Sequence, residues 1–208
     1  MARIDHVTTA GIFTLDGEDF EVENNVWIIG DDNEAIVIDA AHDHRPILDG
    51  LGGRTLRAII CTHGHNDHIN AAADLADETG APIFLHPDDS MLWEVVYPDR
   101  RVDDSLADGK LIEVGGAELN VLHTPGHSPG GCCLHLPSEG LLFSGDTLFN
   151  GGPGATGRSF SSYDLILDSI EQRLFALPDE TTVHTGHGDS TSIGAESVNL
   201  AEWRAKQN

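Results

Sequence analysis

Thr62-His63-Gly64-His65-Asn66-Asp67-His68 constrains this chain more than any other stretch, because it packs four potential metal ligands into six residues. The run directly follows Ala58-Ile59-Ile60-Cys61, which reads as the end of a buried strand over 57–61. His63 and His65 are two apart, so in a near-extended loop they share a face. Asp67 and His68 fall where the chain should turn into a helix, and Asp67 is placed to cap its N-terminus. Imidazoles this close repel one another when protonated and are costly to bury unpaired. A divalent cation removes that difficulty by binding neutral imidazole and carboxylate together. The competing reading of the run alone is a solvated histidine-rich loop.

Three further segments weigh against that reading. His123-Thr124-Pro125-Gly126-His127-Ser128-Pro129-Gly130 follows a second expected strand, Ser144-Gly145-Asp146-Thr147 a third, and His184-Thr185-Gly186-His187-Gly188 a fourth. Each offers His or Asp at the carboxyl end of a strand, flanked by Gly or Pro that can shape the turn. Strand ends on a rigid scaffold are where chemistry usually sits.

Around these motifs the pattern predicts strands at 26–30, 35–39, 57–61, 82–85, 110–114, 117–122, 131–136, 140–144 and 181–184. Helices are expected over 45–51, 69–78, 163–176 and 194–206, with another opened by Pro87. Asp43 and Pro46 suit the start of the first helix and Gly52-Gly53 its end. Two halves, each of strands followed by helices, suggest an α/β fold of two sheets packed face to face with helices outside. At 208 residues the chain suits one sizeable domain, 1–208.

The order T-H-x-H-x-D-H, T-P-G-H, G-D-T, G-H-G resembles the metallo-β-lactamase superfamily, and within it the glyoxalase II-like hydrolases, from Asn25 to His187. The resemblance implies a four-layer αββα sandwich with metals at one edge of the sheets. It also implies two divalent metal ions, zinc first and iron or manganese as alternatives. His63, His65 and His127 would hold one metal, Asp67, His68 and His187 the other, and Asp146 would bridge them. Asp67 and Asp146 are the carboxylates read as catalytic, and Asp39 matches the family's supporting aspartate behind the ligands. The chain departs from the family at Asn70-Ala71 and Ala41, where glycines are common, and it ends soon after His187, without the helical substrate domain of full-length glyoxalase II.

The chemistry so implied is attack of a metal-activated hydroxide on an acyl carbonyl. A small-molecule thioester is the expected substrate. Asn150–Arg158 looks like a substrate loop, in which Arg158 could clamp an acidic group or simply be a surface arginine. The rival on the same fold is a persulfide dioxygenase with one iron held by His63, His127 and Asp146. A lactonase is a third reading, and a metal-stabilised binding module without turnover a fourth. A flavin-linked diiron oxidase is disfavoured by His65, where that branch usually carries Glu.

Eleven basic residues against 35 acidic give a net charge of −24, which repels nucleic acid and anionic membrane, so neither is an expected partner. No apolar run approaches a membrane span, and the N-terminus lacks a signal core. Three cysteines, two of them adjacent at Cys132-Cys133, make a poor disulfide framework, so a reduced cytoplasm is expected. Cys61 invites a nucleophile reading but suits a buried core thiol better. His123 and His184 are expected to be structural, His42 and His44 to line the mouth, and His6, His86 and His135 to be ordinary surface or core residues.

Overall fold

The computed structural model describes residues 2–15 and 18–206. Along the chain come β1 (Arg3–Leu15), β2 (Glu18–Gly30), β3 (Glu34–Ile38), α1 (His44–Leu51), β4 (Thr55–Ile60), α2 (Asn66–Ile69), α3 (Ala72–Thr79), β5 (Ile83–Leu85), α4 (Ser90–Val96), β6 (Asp104–Ser105), β7 (Leu111–Val114) and β8 (Ala117–His123). There follow β9 (Cys132–Leu136), β10 (Leu141–Gly145), β11 (Leu148–Phe149), β12 (Gly152–Pro153), α5 (Tyr163–Ser169), β13 (Thr182–Thr185), β14 (Thr191–Ser192), α6 (Ile193–Ser197) and α7 (Leu200–Ala205). One six-stranded sheet has the order β1-β2-β3-β4-β5-β6, and a second has β14-β13-β10-β9-β8-β7.

Alternation along the strands sorts the apolar side chains into three cores and so generates four layers. In β2, Val26 and Ile28 face outward onto Ile47 and Leu51 of α1 and Leu75 of α3. Trp27 and Ile29 face inward onto Leu119, Val121 and Phe143 of the second sheet. On the far side, Cys133, Leu142 and Val183 meet Ile166 and Leu167 of α5 and Trp203 of α7. The adjacent thiols obey the same rule: Cys132 lies in the middle core and Cys133 in the outer one. Cys61, Cys132 and Cys133 are all buried and unpaired. The expected αββα sandwich is therefore the observed one. No described helix is long and apolar enough to cross a membrane.

Three expected elements differ. Of the N-terminal hairpin of β1 and β2 only 26–30 was expected as strand, although Leu15 lies opposite Glu18 and an Asp-Gly pair stands between them in the sequence, a strong hairpin signal. Its strands are rich in Thr, Glu and Asp because they run past the end of the sandwich, so half their length lacks the apolar alternation that marks a core strand. The helix expected over 69–78 is two helices. Asn70 closes the first with its N–H on Asn66 O (2.8 Å), whereas the Ala71 N–H donates to Ala40 O (3.1 Å) instead of to the helix, and Asn70 Oδ1 accepts the His42 N–H (2.6 Å). Residues 194–206 likewise break between α6 and α7.

Candidate metal centre

Every motif residue arrives at one edge of the sandwich because parallel pairing aligns strand ends. In the first sheet Ile38 of β3 lies opposite Ile60 of β4, so Asp39 and Thr62 emerge together. In the second sheet Gly145 of β10 lies opposite Thr185 of β13 after a register shift at Ser144, so Asp146 and His187 emerge together. Such irregularities re-aim side chains at strand ends. The turn between β8 and β9 carries His127, and Asn25 N–H donates to Gly186 O (2.8 Å), joining the two sheets at this edge.

The donor atoms form two groups of three. His65 Nδ1 lies 3.1 Å from His63 Nε2 and 2.9 Å from His127 Nε2. His187 Nε2 lies 3.1 Å from His68 Nε2 and 3.4 Å from Asp67 Oδ2. Asp146 reaches both groups, with Oδ1 3.3 Å from His68 Nε2 and Oδ2 3.5 Å from His127 Nε2 and 3.6 Å from His187 Nε2.

The opposite ring edges fix which nitrogens face inward. His68 Nδ1 donates to Asp39 Oδ2 (3.0 Å), His127 Nδ1 to Ala155 O (2.7 Å) and His187 Nδ1 to Glu23 O (2.7 Å). His63 Nδ1 lies 3.1 Å from Thr62 Oγ1, whose own hydrogen goes to Asp39 Oδ2 (2.7 Å). With the Nδ1 protons directed outward, Nε2 is the nitrogen each of these rings turns inward, the one a metal ligand would offer in its neutral form. Asp39 makes these bonds from a φ of 57°, a region in which aspartate is better tolerated than most residues.

This donor set fits divalent metal. His68 and His187 turn Nε2 toward each other at 3.1 Å, an arrangement that needs a proton or a metal cation between or beside them. Asp146 Oδ1 is buried with no well-formed hydrogen bond. A tetrahedral ion with bonds of about 2.0–2.1 Å holds its nitrogen ligands about 3.3 Å apart, close to the spacings seen here.

The electrostatics divide the same way. Burial, then the neighbouring imidazoles, hold His63 well below the ordinary histidine range, and burial and His127 hold His65 down to about 4. Burial also opposes charge on His68, but Asp146, Asp67 and Asp39 outweigh it and raise that imidazole well above its ordinary value. His187 is raised by Asp67 and Asp146 against burial. Burial disfavours charge on the carboxylates too, yet His68 and its neighbours keep Asp67 down to about 2 and Asp146 well below the usual range. Burial thus favours neutral His63 and His65 in one group, while the carboxylates make the other a site that draws cations.

Other expected roles are redistributed. Asp67 does not cap the helix: His65 stands at the cap, and Asp67, in the first turn, is drawn instead to His187 and to Asn24 Nδ2 (3.2 Å). Asn24 escaped the sequence reading as a partner of Asp67. His42 Nε2 donates to Asn24 Oδ1 (2.8 Å), so His42 acts behind Asp67, at the strained φ of 60°. His44 instead meets Glu78 (2.9 Å), away from the donor groups. His184 stacks on Trp27, with ring centroids 4.2 Å apart. His86, Asp88 and His123 form another cluster, but the two rings stack at 4.0 Å and 8°, so one ion cannot lie in both ring planes. Arg158 is exposed and outside the converging set. Phe13 of the unread hairpin lies over His65, with ring centroids 6.2 Å apart.

The sequence matches the Metallo-beta-lactamase superfamily over residues 20–187. It is 30% identical over 190 residues to hydroxyacylglutathione hydrolase GloC of Haemophilus influenzae, covering 84% of this chain and 90% of that protein. The crystal structure of TTHA1623 in a di-iron-bound form superposes with a TM-score of 0.75 at 31% identity, over 85% of this chain and 93% of that one. ETHE1 from Myxococcus xanthus superposes with a TM-score of 0.72 at 27% identity, over 91% and 81%.

Proposed function

The chain belongs to the metallo-β-lactamase superfamily, and from that premise we propose that it is a two-metal hydrolase of a thioester of a small thiol, working in the cytoplasm. The observation that carries the reading is the pair of three-donor groups with Asp146 in reach of both. His63, His65 and His127 would hold one divalent ion, Asp67, His68 and His187 the other, with Asp146 between them. Metals so held would activate water near neutral pH and would polarise an acyl carbonyl. Similarity to a hydroxyacylglutathione hydrolase points to a thioester, whose thiolate leaves without strong general-acid help. Zinc is the first choice of metal, and the di-iron neighbour makes iron the second.

The chain's own residues prepare the site. Asp67 and Asp146 stay ionised across the working pH range, the form in which a carboxylate would ligate metal. Asn24 holds Asp67 Oδ2 from behind. Phe13 over His65 offers an apolar wall to an acyl group. Among the described residues, nine of the eleven Lys and Arg side chains form ion pairs, and Arg101 and Arg158 form none. Arg158 lies on the loop whose Ala155 carbonyl meets His127, so its free guanidinium is the available anchor for an anionic thiol on a chain of charge −24. Three unpaired buried thiols suit a reducing compartment.

The test loads purified protein with zinc or iron and offers it thioesters of glutathione or mycothiol, lactones and glutathione persulfide. Two metals per chain with thiol release from a thioester supports the proposal. One iron per chain, oxygen uptake with persulfide and no thiol release would replace it with the dioxygenase; turnover of lactones alone, with the lactonase.

A further inference from the structure

Asp89 belongs to none of the four motifs, yet it is fully buried and ties two of them together. Its Oδ2 accepts the Gly64 N–H (2.8 Å) and the Ser128 hydroxyl (2.7 Å), and its Oδ1 accepts the Gly130 N–H (2.6 Å). Gly64 separates His63 from His65, and Ser128 follows His127. One carboxylate therefore grips, from behind, both loops that carry the three-imidazole group.

Two glycines are shaped to this contact. A Cβ on Gly130 would lie 2.8 Å from Asp89 Cγ and from its backbone nitrogen. A Cβ on Gly64 would lie 2.8 Å from Leu92 Cβ and 3.1 Å from Asp89 O. Gly in H-G-H and in S-P-G is thus the sequence trace of an aspartate packed beneath. The segment is braced a second time: His86, the cap of the 3₁₀ turn at Pro87–Asp89, stacks on His123, and His123 Nε2 donates to Pro129 O (2.9 Å). Among the described residues, Asp89 makes no hydrogen bond to Asp67, His68 or His187, whose supports are Asn24, Asp39 and the Glu23 carbonyl.

We propose that Asp89 is a positioning residue that sets the geometry, and hence the metal affinity, of the His63–His65–His127 pocket and leaves the Asp67–His68–His187 pocket untouched. The inference rests on the reading above that these two groups each hold a metal. Asp89→Asn keeps the volume but turns one acceptor oxygen into a donor facing a donor, which opens the grip. Ser128→Ala removes a single bond and leaves the carboxylate in place.

The experiment titrates metal-free protein with zinc against a chromophoric chelator, in wild type and in Asp89→Asn, Ser128→Ala, His65→Ala and His187→Ala variants. Melting curves are recorded with and without zinc. In wild type two binding events are expected, one lost in His65→Ala and the other in His187→Ala. Asp89→Asn should weaken the event that His65→Ala removes by roughly 10- to 100-fold, as loss of a ligand's outer support does, and leave the other unchanged. Ser128→Ala should shift the same event by a smaller factor, which preserves the test if Asp89→Asn fails to fold. Equal weakening of both events, or a lower melting point of the metal-free form with unchanged affinities, would show a merely structural role and overturn the inference. If His65→Ala and His187→Ala remove no binding from wild type, the two-pocket reading itself falls, and the inference with it.

Discussion

Asp39→Asn isolates the support behind the second group. Asp39 Oδ1 accepts the Thr62 N–H (2.7 Å), and Oδ2 accepts both the Thr62 hydroxyl and His68 Nδ1. Asparagine tolerates the same φ of 57°, so the backbone is unaffected and only the chemistry at Oδ2 changes. An amide NH₂ there confronts two donors in a fully buried place. Each hydrogen bond to a buried charged group is worth about 1.5–3 kcal/mol. His68 can recover one bond by moving its proton from Nδ1 to Nε2, which leaves a net cost of about 2 kcal/mol, or a fall of about 4–8 °C in the melting point. That recovery has a consequence for metal: the proton now occupies the nitrogen that faces Asp67, Asp146 and His187. The Asp67–His68–His187 event should weaken by about 10- to 100-fold, about 1.4–2.8 kcal/mol. The other event should weaken less, because Asp39 reaches His63 only through Thr62. Chelator competition and calorimetric melting measure both effects. Wild-type affinity for both metals together with an unchanged melting point would refute the argument.

Asp146→Ala removes the carboxylate that reaches both groups, so metal content and turnover should fall together; a variant that keeps two metals per chain and near-normal activity contradicts this. Arg158→Ala should raise KM more than it lowers kcat, because a remote anion anchor binds substrate and transition state about equally; steady-state kinetics with an anionic thiol conjugate decide it. The two groups should also differ in proton release. His68 and His187 are raised above their ordinary value, so near neutral pH metal must displace protons there, and affinity at that site rises with pH. His63 is well below its ordinary value and His65 near 4, so both are already neutral. Calorimetry in buffers of different ionisation enthalpy should show more protons released at the Asp67–His68–His187 site than at the other; equal release would count against the division. Finally, a charge of −24 repels itself in the folded state, so the melting point should rise between low salt and 1 M potassium chloride, where the Debye length falls to about 3 Å; a flat or falling curve would contradict it.

The sequence by itself determined the family, the layered fold and the seven residues that meet at the edge. Their order and spacing are local facts, and each motif follows a strand whose Val and Ile content is plain. Cys132 and Cys133 fell on opposite faces because strand alternation is local too. What the tertiary structure alone decided is how those residues are held. Asn24 and Asp89 sit 43 and 25 positions from Asp67 and Gly64, which they hold, His42 acts only through Asn24, and nothing periodic marks them. The hairpin that brings Phe13 over His65 runs beyond the core and so lacks apolar alternation. The break at Asn70-Ala71 comes where the Ala71 N–H leaves the helix for the Ala40 carbonyl, a bond visible only once that loop is in place. Ligand identity follows from side-chain chemistry and strand ends; tautomer, charge and support follow from which distant atoms fold against the far side of each ring.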